Sequence, residues 1–338
     1  MHAGTLFITV LCAALASASL RAQPAGKDYY KGKQIRMIVG HGVGADYDIG
    51  GRLLAKHLAR HIPGQPTIIV QNMPGAGSTI AANYLFSQAP KDGTVFGSFS
   101  RNLPSQALLG NTRIKSDPRK FSYLGATSLP SRVCVFWNSA KARSFDDAFS
   151  KQLVIGAAAG GAGSIVPVVL NHVLKTKFRV IEGYKTPADV IIAMERGEVD
   201  GICTAYSQFR NYGHLLGAGK MRIVMRAEER PSVELSNVRS IYSYAKTDRQ
   251  RRFLRFVFST TEFGRPYVMP PGVPPDVVAV MRKAMADTVK DPALIAEAKR
   301  SKVDMHYTPP EQLEQLVASL YDTPPDMIDA VRKLVPHR

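Results

Sequence analysis

Short apolar runs alternate with helical patterns along the first part of the chain. Ile35 to Val39 is a mostly apolar run of strand length, and apolar residues then recur at helical spacing until Pro63 and Gly64. Two further runs, Thr67 to Val70 and Thr94 to Phe99, enclose a second helical pattern. Strands that alternate with helices predict βαβ units and a mainly parallel sheet.

The same pattern starts again after residues 128–132. Val133 to Trp137 and Leu153 to Ala157 predict the first strands of this second series, and helices dominate beyond about Glu234. The chain has 338 residues, of which 45% are apolar, so it exceeds the usual size of one compact domain. We therefore predict an α/β protein with two domains.

The first residues have the features of a secretory signal peptide. Leu6 to Leu15 is an almost unbroken apolar run, and small residues from Ala16 to Ser19 follow it. Cleavage after Ala18 or after Ala22 would fit this pattern, and we predict removal of residues 1–22, which takes Cys12 away as well. No second segment reaches the roughly 18 apolar residues that a membrane span needs. The mature chain is therefore expected to be exported to the periplasm as a soluble protein.

The charge balance favours an anionic partner. The chain carries 44 Lys and Arg residues against 27 Asp and Glu residues, a formal net charge of +17. Such a charge suits nucleic acid, acidic lipid or small carboxylates. Export, and the lack of a motif that reads DNA or RNA, argue against nucleic acid as the partner.

One four-residue turn occurs twice. Gly75-Ala76-Gly77-Ser78 is repeated as Gly161-Ala162-Gly163-Ser164, each time between a predicted strand and a predicted helix. Glycine lets a ligand approach the backbone closely, and the amides at a helix N-terminus attract an anion, which the Ser hydroxyl can also contact. A tight turn with a serine N-cap would have the same residues. If both turns bind one anion, they face each other across a cleft at the carboxyl ends of the strands.

Two other motifs indicate chemistry only weakly. Gly40 to Ala45 matches the glycine fingerprint of dinucleotide sites, but the second strand ends in Gln71 and Asn72 instead of the acid that binds ribose. His57 and His61 have the helical spacing of metal ligands, without the glutamate of a metalloprotease. We therefore predict no cofactor, no metal site and no enzymatic activity.

Two cysteines, Cys134 and Cys203, would remain in the mature chain, each in an apolar run. In an oxidising compartment they could form a disulfide, but cysteines buried on strands are often free. Both belong to the second series of strands, so a bridge would not join the two domains. A disulfide and two buried thiols remain open as alternatives.

Several short motifs resemble those of one known family. They are Gly64-Gln65-Pro66, Val70 to Gly77, Asp92-Gly93-Thr94, Gly183-Tyr184, Glu195 to Gly201 and Gly264-Arg265-Pro266. The family is that of the tripartite tricarboxylate transporter substrate-binding receptors, also called Bug proteins. The chain departs from its pattern in the first loop, where Val43 replaces a proline, Ala45 replaces a glycine and His41 replaces an apolar or aromatic residue.

The resemblance implies a two-lobed periplasmic binding protein of type II, with a cleft between the lobes. Domain 1 would comprise residues 27–127 and 234–338, domain 2 would comprise residues 128–233, and two crossovers would form the hinge. Such receptors close on a small carboxylate and deliver it to the subunits of a membrane permease. We expect the same of this chain, as a monomer. A sensor that presents its ligand to a signalling partner and an exported α/β enzyme are the alternatives.

The resemblance also implies which residues line the cleft. They belong to the first loop, the two glycine turns and the strand near residue 200. The expected ligand-binding residues are His41, Gly42, Val43, Gly44, Ala45, Gly75, Ala76, Gly77, Ser78, Gly161, Ala162, Gly163, Ser164, Asp200 and Thr204. Asp48 and Arg52 match an Asp and an Arg of the family pattern.

Overall fold

The computed structural model describes residues 28–158, 162–229 and 233–334. The predicted signal peptide, Cys12 and Gly161 lie outside these residues. Within them, ten strands form two sheets of five. The strands are β1 (Gln34–Val39), β2 (Thr67–Asn72), β3 (Val95–Ser98), β4 (Ser122–Ala126), β5 (Arg132–Trp137), β6 (Leu153–Ala158), β7 (Phe178–Tyr184), β8 (Gly201–Ala205), β9 (Met221–Arg226) and β10 (Pro266–Met269).

Helices cover the faces of both sheets. They are α1 (Asp46–Leu58), α2 (Thr79–Ser87), α3 (Leu103–Leu108), α4 (Ala162–Leu174), α5 (Pro187–Glu195), α6 (Gly213–Gly217), α7 (Asp248–Phe263), α8 (Pro275–Thr288), α9 (Pro292–Arg300), α10 (Pro310–Tyr321) and α11 (Pro325–Leu334). In the part of the chain that the structure describes, no helix is long and apolar enough to cross a membrane.

The two sheets repeat one strand order. The first sheet runs β2-β1-β3-β10-β4 and the second runs β7-β6-β8-β5-β9. Three strands at one side of each sheet are parallel, and the fourth strand in each order is antiparallel to its neighbours. In each sheet the antiparallel strand is far in sequence from the strands beside it. β10 is the last strand of the first sheet in chain order, and β5 is the first strand of the second sheet. The predicted α/β fold with two lobes and mainly parallel sheets is confirmed.

The C-terminal helices divide between the two lobes. Met281 of α8 and Leu313 of α10 lie in the cores beside the first sheet. Phe253 and Leu254 of α7, with Met327 of α11, lie in the core beside the second sheet. The prediction assigned all residues from 234 onward to domain 1. This packing favours a second crossover at the end of α7, and the exact domain boundaries remain a prediction.

Two crossovers connect the lobes and lie side by side. The first joins β4 to β5 through residues 127–131, and the second joins α7 to β10 through Gly264 and Arg265. The Thr127 amide donates to the Arg265 carbonyl, and Arg265 Nη2 donates to the Thr127 carbonyl, both at 3.2 Å. Gly264 has a φ of 58°, and a Cβ there would lie 2.1 Å from the Ser128 carbonyl oxygen. Only glycine therefore allows this close contact between the crossovers.

Candidate functional site

A cavity of about 670 Å³ lies between the two lobes. Asp46 and Arg101 line it from the first lobe, and Tyr206 and Ser207 line it from the second lobe. These residues follow the carboxyl ends of β1, β3 and β8, where ligands of open α/β sheets bind. Its other lining residues come mainly from the crossovers and the loops beside them: Ser128, Leu129, Pro130, Ser131, Val233, Glu234, Arg265, Lys302, Asp304 and His306.

The first loop is held from beneath by the buried carboxylate of Asp48. It accepts hydrogen bonds from the Gly44 amide at 2.8 Å, from Arg52 Nε at 2.9 Å and from Asn72 Nδ2 at 2.8 Å. Asn72 Nδ2 also donates to the His41 carbonyl. Burial acts to raise the pKa of Asp48, but these hydrogen bonds outweigh it and hold the pKa below the usual value. Asp48 therefore shapes the loop instead of facing a ligand.

His41 packs against Tyr47 inside this loop. The two rings are stacked, with centroids 3.9 Å apart. Burial, together with the positive charge of Arg101, lowers the pKa of the imidazole, so His41 is neutral at pH 7. Its buried Nδ1 has no hydrogen-bond partner among the described residues. The Tyr47 hydroxyl accepts from Arg101 Nε at 3.1 Å, which links the first loop to the loop that follows β3.

The turn of Gly75 to Ser78 is tight, because its four residues all have positive φ, at 134°, 46°, 63° and 81°. Ser78 is buried, and its hydroxyl accepts a 3.0 Å hydrogen bond from the Ser100 amide. The hydroxyl forms no N-cap bond to α2. It thus joins this turn, which follows β2, to the loop after β3 instead of facing a ligand. The Ser78 amide donates to the Gly75 carbonyl, so the amides earlier in the turn are the ones left for a ligand.

The second copy of the turn begins α4. The structure does not describe Gly161 or the side chain of Ala162. A Cβ on Gly163 would lie 3.0 Å from the Cys203 carbonyl oxygen, so this turn lies beside the carboxyl end of β8. Thr204, which is half-buried, is the next residue of that strand and pairs with Val133. The turn and Thr204 are therefore neighbours, whereas the facing of the two glycine turns remains a prediction.

Asp200 does not share this location. It precedes β8, and its carboxylate accepts a 2.8 Å hydrogen bond from the amide of Val154 near the start of β6. β6 and β8 are parallel, so this contact lies at their amino ends, away from the cavity. The expectation that Asp200 contacts the ligand is therefore corrected: its carboxylate joins two strands.

Two arginines that line the cavity, Arg265 and Arg101, and a third beside a smaller cavity, Arg132, were not among the predicted ligand-binding residues. Arg265 is buried, and its Nη1 forms a 2.9 Å ion pair with Asp46. The same guanidinium donates to the carbonyls of Thr127 and Asp304. Arg265 therefore fastens α1 to the crossovers. The sequence signal was its place in Gly264-Arg265-Pro266, one of the motifs that resemble the family.

Arg101 and Arg132 differ from Arg265 because neither forms an ion pair with a carboxylate of the described residues, whereas Arg265 is paired with Asp46. Arg101 follows β3, and Arg132 is the first residue of β5. Both are half-buried. Burial, together with the charge of Arg101, lowers the pKa of the Arg132 guanidinium. A basic residue two positions after the predicted strand Thr94 to Phe99 was the available signal for Arg101.

The described residues contain no group of three or more His, Cys, Asp or Glu side chains that could hold a metal ion. His57 Nε2 lies 2.7 Å from a Glu297 oxygen, and His61 Nε2 lies 2.8 Å from an Asp291 oxygen. The two histidines considered as metal ligands are therefore each occupied by a separate carboxylate.

Cys134 and Cys203 are joined by a disulfide. They lie opposite each other on the antiparallel strands β5 and β8, with Cα atoms 4.0 Å apart. The bridge lies within the second sheet, so it does not connect the two lobes.

Two lobes with matching strand orders, joined by two crossovers around a cavity, define the periplasmic-binding-protein fold. The chain superposes on a TctC solute-binding protein from Polaromonas with a TM-score of 0.69 and 18% identity, over 89% of this chain and 98% of the other. An R. palustris protein solved with adipate has a TM-score of 0.53 and 17% identity, over 89% and 97% of the two chains. The resemblance to the tripartite tricarboxylate solute-binding proteins is thus confirmed, and the chain has their fold.

Comparison of sequences adds a shorter match. A curated protein from Cupriavidus necator, described as a UPF0065 protein in the gbd 5' region, is 37% identical over 112 residues. The match spans 32% of this chain and 33% of that relative. No protein-family model matches the chain.

Proposed function

We propose that this chain is an exported receptor that captures a small carboxylate in the cleft between its lobes and delivers it to a membrane permease. The observation that carries the proposal is the cavity of about 670 Å³, which joins residues of both lobes at the carboxyl ends of strands. Arg101 lines this cavity and forms no ion pair with an acid among the described residues, which suits an anion. The R. palustris protein of similar fold was solved with adipate, a dicarboxylate.

The mechanism is binding followed by closure, with no bond made or broken. The two crossovers connect the sheets of the lobes, and a third link joins α10, in the core of the first lobe, to α11, in the core of the second. Closure would bring the first loop and the Gly75 to Ser78 turn towards α4 and Thr204. Amides of the turns and the arginines then replace the water around the carboxylate. Export to the periplasm, by the signal peptide predicted at 1–22, would place the receptor beside its permease.

A ligand screen tests binding. The mature protein is heated with mono-, di- and tricarboxylates, and with the uncharged amide of each as a matched control. A carboxylate present at 100 times its dissociation constant adds roughly 2.7 kcal/mol to stability, so the unfolding temperature should rise with the acid but not with the amide. If no carboxylate raises it, and calorimetry confirms the absence of binding, the proposal is wrong.

Delivery needs a separate test in cells. Deletion of the gene from its source organism should abolish high-affinity uptake of the carboxylate that the screen identifies. Expression of the full chain should restore uptake. Normal uptake in the deletion strain would contradict the role in transport and leave the sensor as the remaining receptor function.

A further inference from the structure

A second cavity, of about 210 Å³, lies where α3 meets α4, α7 and α11. We call it the α3 cavity. Leu103 of α3 lies in a core beside the first sheet, whereas the other three helices pack in the core beside the second sheet. Both lobes therefore line the α3 cavity, as they line the cavity in the cleft. The two cavities share no lining residue.

The two cavities also belong to different faces of the sheets. Successive residues of a strand point to opposite faces, and Ile38 of β1 lies in the same core as α3, whereas Val39 lies in the same core as α1. In the second sheet, Cys134 of β5 packs with α4, whereas Val135 packs in the core beside Tyr206. The cleft cavity is lined by the start of α1 and by Tyr206, so the α3 cavity is a separate space.

The walls of the α3 cavity are mostly apolar. α4 contributes Ile165 and Val166, α7 contributes Phe256 and Phe258, and α11 contributes Val331. All of these except the half-buried Ile165 are buried. Such walls suit the apolar body of a small molecule.

Arg132 supplies a cation among these walls. It is the first residue of β5, and its backbone is fixed by pairing with Ala205 and by the Ala227 amide, which donates to the Arg132 carbonyl at 2.9 Å. Its side chain is half-buried and forms no hydrogen bond or ion pair with the described residues. A half-buried guanidinium without a partner is unfavourable, and a bound anion removes that cost through charge-assisted hydrogen bonds.

The α3 side of the cavity is polar. Ser105 Oγ donates to the Asn102 carbonyl, but the side-chain amide of Gln106, which is half-buried, has no hydrogen-bond partner among the residues that the structure describes. This side is also joined to α11, because Arg332 Nε donates to the Leu109 carbonyl at 3.1 Å. The cavity thus combines apolar walls, one unpaired cation and a free amide group.

We infer that the α3 cavity is a binding site, separate from the cleft, for a small apolar monocarboxylate, whose carboxylate is bound by Arg132 and whose apolar body packs against α4, α7 and α11. The inference does not depend on capture of a ligand in the cleft. An apolar cavity of about 150 Å³ takes up benzene, so a cavity of about 210 Å³ suits a benzene ring with one carboxylate. A second carboxylate would be buried against apolar walls without a partner, which favours a single charge.

Calorimetry with benzoate on the mature protein tests the charge. Benzoate should bind about tenfold or more tightly than benzamide, which has the same shape without the charge. Arg132→Gln should weaken benzoate binding about tenfold or more and change benzamide binding little. Arg113→Gln makes the same charge change at an exposed residue that lines neither cavity, and it should leave the benzoate affinity unchanged.

A second pair of variants tests the location. Ser105 lines the α3 cavity, so Ser105→Phe should fill it and abolish benzoate binding there. Ser87→Phe is the matched control, because Ser87 is an exposed helical serine whose hydroxyl also donates to a backbone carbonyl, and it should leave the affinity unchanged. Circular dichroism and unfolding curves confirm that each variant is folded.

Crystals of the wild-type protein soaked in para-bromobenzoate locate the site without any substitution. The anomalous signal of bromine should lie between α3, α4 and α7, and a further signal in the cleft would not conflict with it. Bromine in the cleft alone, no binding of benzoate, or binding that both Arg132→Gln and Ser105→Phe leave intact would overturn the inference. None of these results bears on capture of other carboxylates in the cleft, which the ligand screen tests.

Discussion

Two glycines below the cleft leave room for buried polar side chains. A Cβ on Gly40 would lie 2.1 Å from the Ser78 hydroxyl oxygen, and a Cβ on Gly50 would lie 2.8 Å from the Arg265 guanidinium carbon. Gly50 lies inside α1, where glycine weakens a helix, so its presence there has a packing reason. The absence of a Cβ at these two positions therefore lets Ser78 pack against Gly40 and lets Arg265 pack against α1.

The buried carboxylate of Asp48 also holds the first loop in place, and a conservative substitution would measure its contribution to stability. Asp48→Asn removes the charge that Arg52 meets and one oxygen that accepts from Gly44 or Asn72. We expect a loss of about 1–3 kcal/mol in the free energy of unfolding at pH 7, the usual cost of an unpaired buried group. Urea unfolding curves at several pH values provide the measurement.

The lowered pKa of Asp48 also predicts how the stability difference between the two proteins changes with pH. The folded pKa of Asp48 is lowered, so its stabilising effect is fully present above the unfolded pKa of roughly 4 and is lost as the pH falls through the folded value. The stability difference between the wild-type protein and Asp48→Asn should therefore shrink below about pH 4. A difference that stays constant into acid would show that Asp48 carries no pKa shift.

At the scale of elements, the disulfide ties β5 to β8 and closes a loop of the second lobe. The two cysteines are 69 residues apart, and a loop of that length gives a stabilisation of about 4 kcal/mol in the chain-entropy model. Cys134→Ala/Cys203→Ala should therefore lower the free energy of unfolding by about 2–4 kcal/mol. Carboxylate affinity should stay within a few-fold of wild type, because the bridge does not span the hinge.

Counting of thiols tests the bridge itself. The denatured, unreduced mature protein should show no reactive thiol, and two should appear after reduction. Two thiols before reduction would contradict the bridge and restore the alternative of free, buried cysteines, which the sequence left open.

The local pattern of the sequence predicted some elements and could not predict others. The parallel strands of the first sheet, and β6 of the second, were predicted because each is a mostly apolar run of strand length. β10 was not predicted, since it has four residues and its partners in β3 and β4 lie about 140 or more positions earlier. Arg101 was missed because it lies in the loop after β3, and a loop has no periodicity that marks a site residue.

At the scale of the whole molecule, the two lobes contain sheets with equivalent strand orders, and residues of both lobes line the cleft. The two antiparallel strands, β5 and β10, are the first strands reached after each crossover. The crossovers therefore enter the two sheets at equivalent places, next to the cavity. A small rotation at residues 127–131 and at Gly264 would change the cavity without disturbing either core.

The charge of the whole chain bears on how the ligand arrives, and the last prediction concerns salt. A protein with a formal net charge of +17 attracts anions over a distance set by the Debye length, which falls from roughly 30 Å at about 0.01 M salt to roughly 3 Å at about 1 M. The association rate of a dicarboxylate, measured by stopped flow, should therefore fall as salt is added. Arg101→Gln should flatten this dependence more than Arg113→Gln, because both variants remove one charge but Arg101 lines the cavity and Arg113 is an exposed residue that does not. If the association rates of the two variants fall equally with added salt, the attraction comes from the overall charge of the protein. If the association rate of the wild-type protein does not change with salt, the electrostatic field at the cleft is neutral.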